Sequence, residues 1–534
     1  MGGFRDPPPA DSARMRAVAA ILAGALIAAA LVLLLRGEQG VETERSWVGP
    51  TPVTVYRPTA ERREANAGQW DIDRPDGLPV VLISHGFAGS QQLMEAFAYA
   101  LARSGYFAVT FDYYGHGRNL EPLAGDVMDV EGATKNLVEQ TATVARFARS
   151  EPEAGDGFAI VGHSMASDVI VRYAASAADL DATVAVSLFS PAVTADSPDN
   201  FLVIVGDLEG RLKDEAMRVL GLVADEPEEG VTYGAFEDGS ARRAVFAPAV
   251  EHVGVLYSPT TLRETVEWLD RAFGRAPGAY DDANDGRGPG ILLLFAGLLV
   301  LAWPVARALP RVSDPPRGLN PGWRELLPAA LVPAVATPVL LMGFPADFLG
   351  ALVGGYLAVH FGLYGLLTAG FCLWLRRRRN GMPSSGRSRA GAAVFSAIIA
   401  TLYAAGAFGL AMDQFVTSFA VTGSRLPLVA LMVGGTLIYF LADEWLTRGA
   451  DVPRGAHLLT RVSFLLSLGL AVALSFEELF FLLIIAVVIV PYFLIYGLIG
   501  SWVYRKTGDP IVSALPSAVA FGWTLAVVFP QMSG

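Results

Sequence analysis

The chain has 534 residues, too many for one ordinary domain, and 53% are hydrophobic against only 17% charged, so much of it is expected to sit in a membrane. A formal net charge of −12 gives no basis for nucleic-acid binding. The single cysteine, Cys372, excludes any disulfide within the chain.

The apolar excess is uneven along the chain. Residues 1–15 carry Arg5 and Arg14 and read as a cytoplasmic N-terminus. The apolar run 16–35 follows, ending at Arg36; its core is longer than a signal-peptide h-region and no small-x-small cleavage site follows. We therefore expect a signal-anchor helix over 16–36. Residues 45–275 have a globular mix in which strand and helix patterns alternate. Val53–Tyr56 and Pro79–Ser84 read as strands, Gln91–Arg103 as an amphipathic helix, Tyr106–Asp112 as a strand and Gly132–Ala148 as a helix. The run Phe158–His163 reads as a strand ending abruptly at Ser164, with a helix behind it. Strands Thr183–Leu188 and Phe201–Val205 follow. A last helix is capped by Ser258, opens at Pro259 and runs to Phe273. This alternation predicts a mostly parallel α/β sheet.

A linker rich in Pro, Gly and Asp occupies 276–290, and 291–530 is a series of runs near the ~20 residues that a helix needs to span a bilayer. Candidate spans are 291–309, 325–343, 347–375, 391–412, 427–446, 459–475, 479–502 and 511–530, which predicts an all-α polytopic membrane domain of about eight helices. The long span 347–375 either tilts or breaks at Gly354-Gly355. With the N-terminus inside, alternation of nine spans puts 18 Lys and Arg residues on the cytoplasmic side, against Arg425 alone in the short outside loops. An integral protein of a bacterial-type inner or plasma membrane is expected, with the globular part on the non-cytoplasmic side. Carboxylates such as Asp347, Asp413, Glu477 and Glu478 fall near span ends. His360 lies near the middle of a span and reads as an imidazole hydrogen-bonded between helices. Small-residue pairs, Gly350 with Gly354 and Ala430 with Gly434, suit close helix packing.

The segment Gly162-His-Ser164-Met-Ala166 has the form of a nucleophile elbow, a strand-to-helix turn that exposes a serine hydroxyl. Such a serine needs a base and an acid that orients it. There are six histidines. His163 adjoins the serine and should point away from its hydroxyl; His85 and His116 follow early strands; His360 and His457 fall in a span and on the cytoplasmic side. His252 remains, after the apolar stretch Ala244–Val250, and is the expected base. For the acid, Asp207 and Glu209 both follow the strand end at Gly206, where one of them could instead cap the helix near Arg211.

In four ordered features the sequence resembles the α/β-hydrolase family. These are Ser84-His85-Gly86-Phe87, Asp112 to Gly117, the elbow at Ser164, and a late carboxylate followed by His252. The resemblance covers residues 50–275 and is nearest to dienelactone-hydrolase-like or acyl-esterase members without a lid. It implies an oxyanion hole from the backbone N–H groups of Phe87 and Met165, an acid three residues after the strand-end glycine (favouring Glu209 over Asp207), and structural roles for Asp112 and Gly115–Gly117. About a dozen residues separate the two strands between which a lid would be inserted, so an open site is expected.

Two functions follow as expectations. The first is a membrane-anchored serine esterase or acyl hydrolase acting on an ester, thioester or amide, with small-molecule or lipid-like acyl groups as substrates and membrane lipids as surroundings. The second is a transporter or sensor whose hydrolase-like part only binds a ligand. No phosphate loop, metal-ligand cluster or dinucleotide fingerprint is present, so no cofactor is expected, and no residue pattern indicates an oligomeric state.

Overall fold

The computed structural model describes residues 9–70, 77–127, 129–177, 179–275, 286–346, 348–379 and 388–533. Most of the expected linker, together with Arg5, Arg387 and Asp347, lies outside them.

One eight-stranded sheet forms the first half, with spatial order β1-β2-β4-β3-β5-β6-β7-β8. Its strands are β1 (Val41–Val48), β2 (Thr51–Pro58), β3 (Leu78–Ser84), β4 (Phe107–Phe111), β5 (Ala154–His163), β6 (Ala182–Val186), β7 (Phe201–Gly206) and β8 (Arg242–Ala247). From β4 onward across the sheet every pairing is parallel, whereas β1 and β2 pair antiparallel with each other and β2 with β4. The central strands β3 to β7 are almost wholly buried, as strands covered by helices on both faces must be. Each expected strand overlaps an observed one, although the expected Tyr106–Asp112 and Thr183–Leu188 run past the ends of β4 and β6. Two elements were not foreseen: β1, a polar antiparallel edge, and a polar helix after β2.

In chain order the helices of this half are α1 (Pro9–Glu38), α2 (Ala60–Trp70), α3 (Glu95–Arg103), α4 (Lys135–Ser150), α5 (Met165–Ala174), α6 (Gly210–Leu220) and α7 (Pro259–Ala272). Apolar side chains of α4 and α5 pack on one face of the sheet, those of α3 and α7 on the other, which gives two cores. Ser258 occupies the N-cap position of α7 and Pro259 its first turn, as expected, but the Ser258 side chain makes no capping hydrogen bond.

The second half is all helix: α8 (Arg287–Ala308), α9 (Trp323–Leu340), α10 (Gly354–Arg378), α11 (Ala390–Thr401), α12 (Phe408–Phe415), α13 (Leu426–Thr447), α14 (Ala456–Leu474), α15 (Phe476–Leu479), α16 (Leu482–Thr507) and α17 (Pro510–Val528). Among the described residues, eight segments are long and apolar enough to cross a membrane, α1 being one, and α11 and α12 together another. The candidate at 325–343 corresponds to α9. With Arg324 and Glu325 in its first turn and prolines at 328, 333 and 338, it is less apolar than the eight. The long candidate 347–375 does not tilt as one helix; α10 begins at Gly354, after Val353 in a left-handed conformation.

The small-residue pairs need correcting. Gly350 lies outside any helix, and a Cβ on Gly434 would meet nothing within 4 Å. The close approach is instead between α10 and α13. A Cβ on Gly365 would lie 2.5 Å from the Tyr439 nitrogen, and one on Gly435 only 2.2 Å from the Ala358 carbonyl oxygen. His360 is buried on α10, its Nε2 within 3.1 Å of Ser467 Oγ on α14, a bond between helices as expected.

Arg425 is 1% exposed and donates to the carbonyls of Ala526, Phe529 and Gly115. It therefore satisfies two carbonyls at the C-terminal end of α17 while gripping the sheet domain.

Because Gly435 meets α10 and the adjacent Gly434, about 100° round the helix, does not, they make a matched pair. Gly435→Leu should lower the thermal unfolding temperature of the detergent-solubilised protein by several degrees, whereas Gly434→Leu should leave it within about one degree.

Candidate active site

The parallel register brings the ends of β5, β6, β7 and β8 to one edge of the sheet. β5 runs to His163, and the next residue, Ser164, has φ 56° and ψ −118° before α5 begins. A serine held in this sparsely allowed region stores strain of about 1–3 kcal/mol, which persists only where its surroundings fix it. Here they do. Ser164 N–H donates to the Val186 carbonyl at 2.9 Å, and Ser167 N–H donates to the Ser164 carbonyl at 2.8 Å. A Cβ on Gly162 would sit 2.9 Å from the Ala166 carbonyl oxygen, so glycine is required where strand and helix meet.

The hydroxyl of Ser164 lies 2.8 Å from His252 Nε2, and His252 Nδ1 lies 2.5 Å from Glu209 Oε1. Since a carboxylate only accepts, Nδ1 carries the proton and Nε2 is left as acceptor for the serine. Glu209 is fixed in turn: its Oε2 accepts from Gly206 N–H at 2.7 Å and from Ser187 Oγ at 2.8 Å. Burial raises the Glu209 carboxyl, but the bonds from His252, Gly206 and Ser187 outweigh it and hold the group below its ordinary range. Glu209 occupies the N-cap position of α6 without capping it through its side chain.

Asp207, the other candidate, points away. Its Oδ1 pairs with Lys213 Nζ at 2.7 Å, and its side chain is 49% exposed. The structure thus joins Glu209, and not Asp207, to His252.

His163 turns from the serine and donates from Nε2 to the His252 carbonyl at 2.9 Å, bracing the loop that carries the imidazole. Burial, reinforced by the neighbouring His252, lowers it to about 3, so it stays neutral. Behind the site, Asp112 accepts from the N–H groups of Gln91 (2.7 Å) and Arg118 (2.9 Å). Gly117 has φ 53°, and a Cβ there would fall 2.4 Å from the Asp112 carboxyl carbon. Both are structural placements.

The turn after β3 lies directly against the elbow: a Cβ on Gly86 would sit 2.9 Å from Ser164 Cβ. Phe87 and Met165 line the same cavity of about 450 Å³ as Ser164 and His252. Ser187, at φ 55°, ends β6 beside Glu209; nothing in the sequence marks it, because its part depends on β7 lying next to β6.

The expectation of an uncovered site needs amendment. No lid interrupts β6 and β7, but Phe481 and Ile484 of the helical half line the cavity, with the Phe481 ring 5.0 Å from that of Phe87.

Such an arrangement can deprotonate a serine hydroxyl and stabilise the imidazolium that results. Losing the Glu209 bonds should cost stability as well. Because folding lowers its pKa, Glu209 stabilises the fold above the unfolded-state value of about 4.3, and that contribution disappears as pH falls through the lowered folded-state value. Glu209→Gln should therefore unfold several degrees below wild type at pH 8 and converge on it in acid, whereas Asp207→Asn, losing only a half-exposed ion pair, should track wild type at both.

The family described as serine aminopeptidase, S33 matches residues 76–226. Among solved structures the chain is similar to a ferulic acid esterase from Streptomyces cinnamoneus, with 14% identity over 46% of this chain and 94% of that one and a TM-score of 0.31. It is also similar to a predicted CIB-like hydrolase from Thermoplasma acidophilum, with 15% identity over 43% and 97% and a TM-score of 0.32. The methylesterase BT1017 shows 13% identity over 54% and 74%, with a TM-score of 0.33. The sheet half of this chain is an α/β-hydrolase domain, joined to a large all-helical half that carries several apolar helices.

Proposed function

We propose that this protein is a membrane-anchored serine hydrolase that cleaves acyl esters, or related thioesters or amides, on the non-cytoplasmic side. The observation that carries the reading is the continuous hydrogen-bonded path from Ser164 through His252 to Glu209, on a serine strained outward at φ 56°. Ser164 Oγ attacks the acyl carbonyl while His252 Nε2 takes its proton. Glu209 holds the imidazole and offsets its charge. The N–H groups of Phe87 and Met165 receive the oxyanion. Collapse of the tetrahedral intermediate expels the leaving group, which takes the proton from His252. Water, activated by the same imidazole, then releases the acid and restores the serine.

The arrangement of helix ends supports the orientation. Among the residues of the helical half that contact the sheet domain, Asp413, Thr417, Arg425 and Gln531 belong to segments read as outside, and Phe481 lies at the outer end of its span. The opposite ends carry the arginines and join one another through Arg317 with Asp509, and Arg379 with Glu325.

Two experiments test these statements. A fluorophosphonate should label the full-length protein in membranes, and Ser164→Ala should abolish the label and lower esterase turnover by about a thousandfold or more. A folded wild-type protein that never labels would refute the enzyme reading in favour of a ligand-binding module. For orientation, a cysteine placed at Ser240 should react with an impermeant maleimide in intact cells and one at Ala450 should not; the reverse pattern would invert the topology.

A further inference from the structure

The cavity beside Ser164 is not closed by the hydrolase domain itself. One of its walls is Phe481, the residue before α16, and Ile484 in its first turn, α16 being a strongly apolar helix of 26 residues. Elsewhere the lining is mainly apolar, with Val130, Ala133, Leu137 and Phe189, beside the Asp168–Arg172 ion pair. Val130 and Phe189 stay 42% and 68% exposed at its margin, and Ile484 is 42% exposed, so the lining continues outward as apolar surface. A chain leaving the serine along this trough passes Phe481 and Ile484 and meets the flank of α16, where Leu483 and Val490 are also exposed. At about 450 Å³ the cavity falls in the ordinary ligand-pocket range of roughly 300–1,000 Å³.

We propose that the substrate is an amphiphile with a medium or long acyl chain, taken from the outer leaflet, its chain held between the sheet domain and the first turn of α16. This rests on the acyl-hydrolase reading above and deepens it by naming the substrate class. Ile484 is then a specificity-determining residue. A short acyl group would reach the serine without touching it, whereas an extended alkyl chain must cross it. Binding needs no cation, because the apolar walls and the adjoining hydrocarbon supply the attraction.

The test uses the full chain in phosphatidylcholine nanodiscs. For wild type, kcat/KM for p-nitrophenyl dodecanoate should exceed that for the butyrate ester by at least about tenfold. Ile484→Trp, which fills the trough, should reduce that ratio by about tenfold. Leu366→Trp, at an exposed position on α10 outside the cavity lining, should leave the ratio unchanged. A wild-type preference for butyrate, or a ratio indifferent to Ile484→Trp, overturns the proposal in favour of short acyl substituents. A binding arm separates this failure from failure of the catalytic reading. Ser164→Ala protein should bind dansyl-undecanoate, and the Ser164→Ala, Ile484→Trp double variant should not. Binding without fluorophosphonate labelling in wild type keeps the chain site and sinks the serine chemistry. Labelling without chain binding or chain-length preference does the reverse.

Discussion

Parallel strands that end at one level are the constraint on which everything else in the site depends. Ser164, Ser187, Glu209 and His252 are separated by up to 88 positions in the chain, yet each follows the end of a strand in the adjacent run β5-β6-β7-β8. The sheet bonding extends past the strands themselves. Ser164 N–H reaches Val186, Ser187 N–H reaches Ile204, and Asp207 N–H reaches Ala247, each in the neighbouring strand. The elbow is thus held at both its strand side and its helix side. A strain of about 1–3 kcal/mol at one serine is tolerable when the ladder on one side and α5 on the other would both have to yield to release it. The imidazole is held in the same manner: Glu209 grips its Nδ1, and His163, next to Ser164 in the chain, grips its backbone.

The helical half reaches into this arrangement from the side where β3 and β4 end. Thr417 Oγ1 lies 3.0 Å from Ser90 Oγ, and Ser418 N–H donates to that same Ser90 oxygen. Asp413 pairs with Arg118, whose own N–H holds Asp112. Arg425 and Gln531 both engage Gly115, and Gln531 also accepts from Leu123, which lines the cavity. These contacts converge on the two turns, after β3 and after β4, that shape the approach to Ser164. Buried charge is costly unless its donors are used, and both terminal nitrogens of Arg425 are used, on three carbonyls drawn from the two halves.

What the sequence disclosed follows physical lines. Strands buried on both faces are continuous apolar runs, so β3, β4, β5, β6 and β7 could be read directly, and the elbow could be read because glycine and small residues must flank a strained serine. Choosing between Asp207 and Glu209 could not be done from local pattern, since both follow the same strand end; which one turns inward depends on Ser187 and His252, supplied by other strands. β1 escaped notice because an exposed edge strand carries no hydrophobic alternation. The helix faces misled for a related reason. In an almost uniformly apolar helix the pattern does not say which side meets a neighbour, so Gly434 and Gly435 look alike until α10 is placed beside one of them.

Phe481 and Ile484 were the least legible of all, because their part is assigned by how the two halves meet. That has a consequence for the sheet domain as an independent unit. Cut from the rest of the chain, it would keep the Ser164–His252–Glu209 path, whose every bond lies within the sheet domain. It would lose one wall of the cavity, the ring against Phe87 and the bonds that Arg425 and Gln531 make to Gly115. An excised domain would then present a hydroxyl of the same geometry in a wider, wetter trough. In the proposed acyl hydrolase, chemistry at the serine would depend on the first set of contacts and selection among acyl groups on the second. The joining of the two halves therefore shapes the cavity beside Ser164.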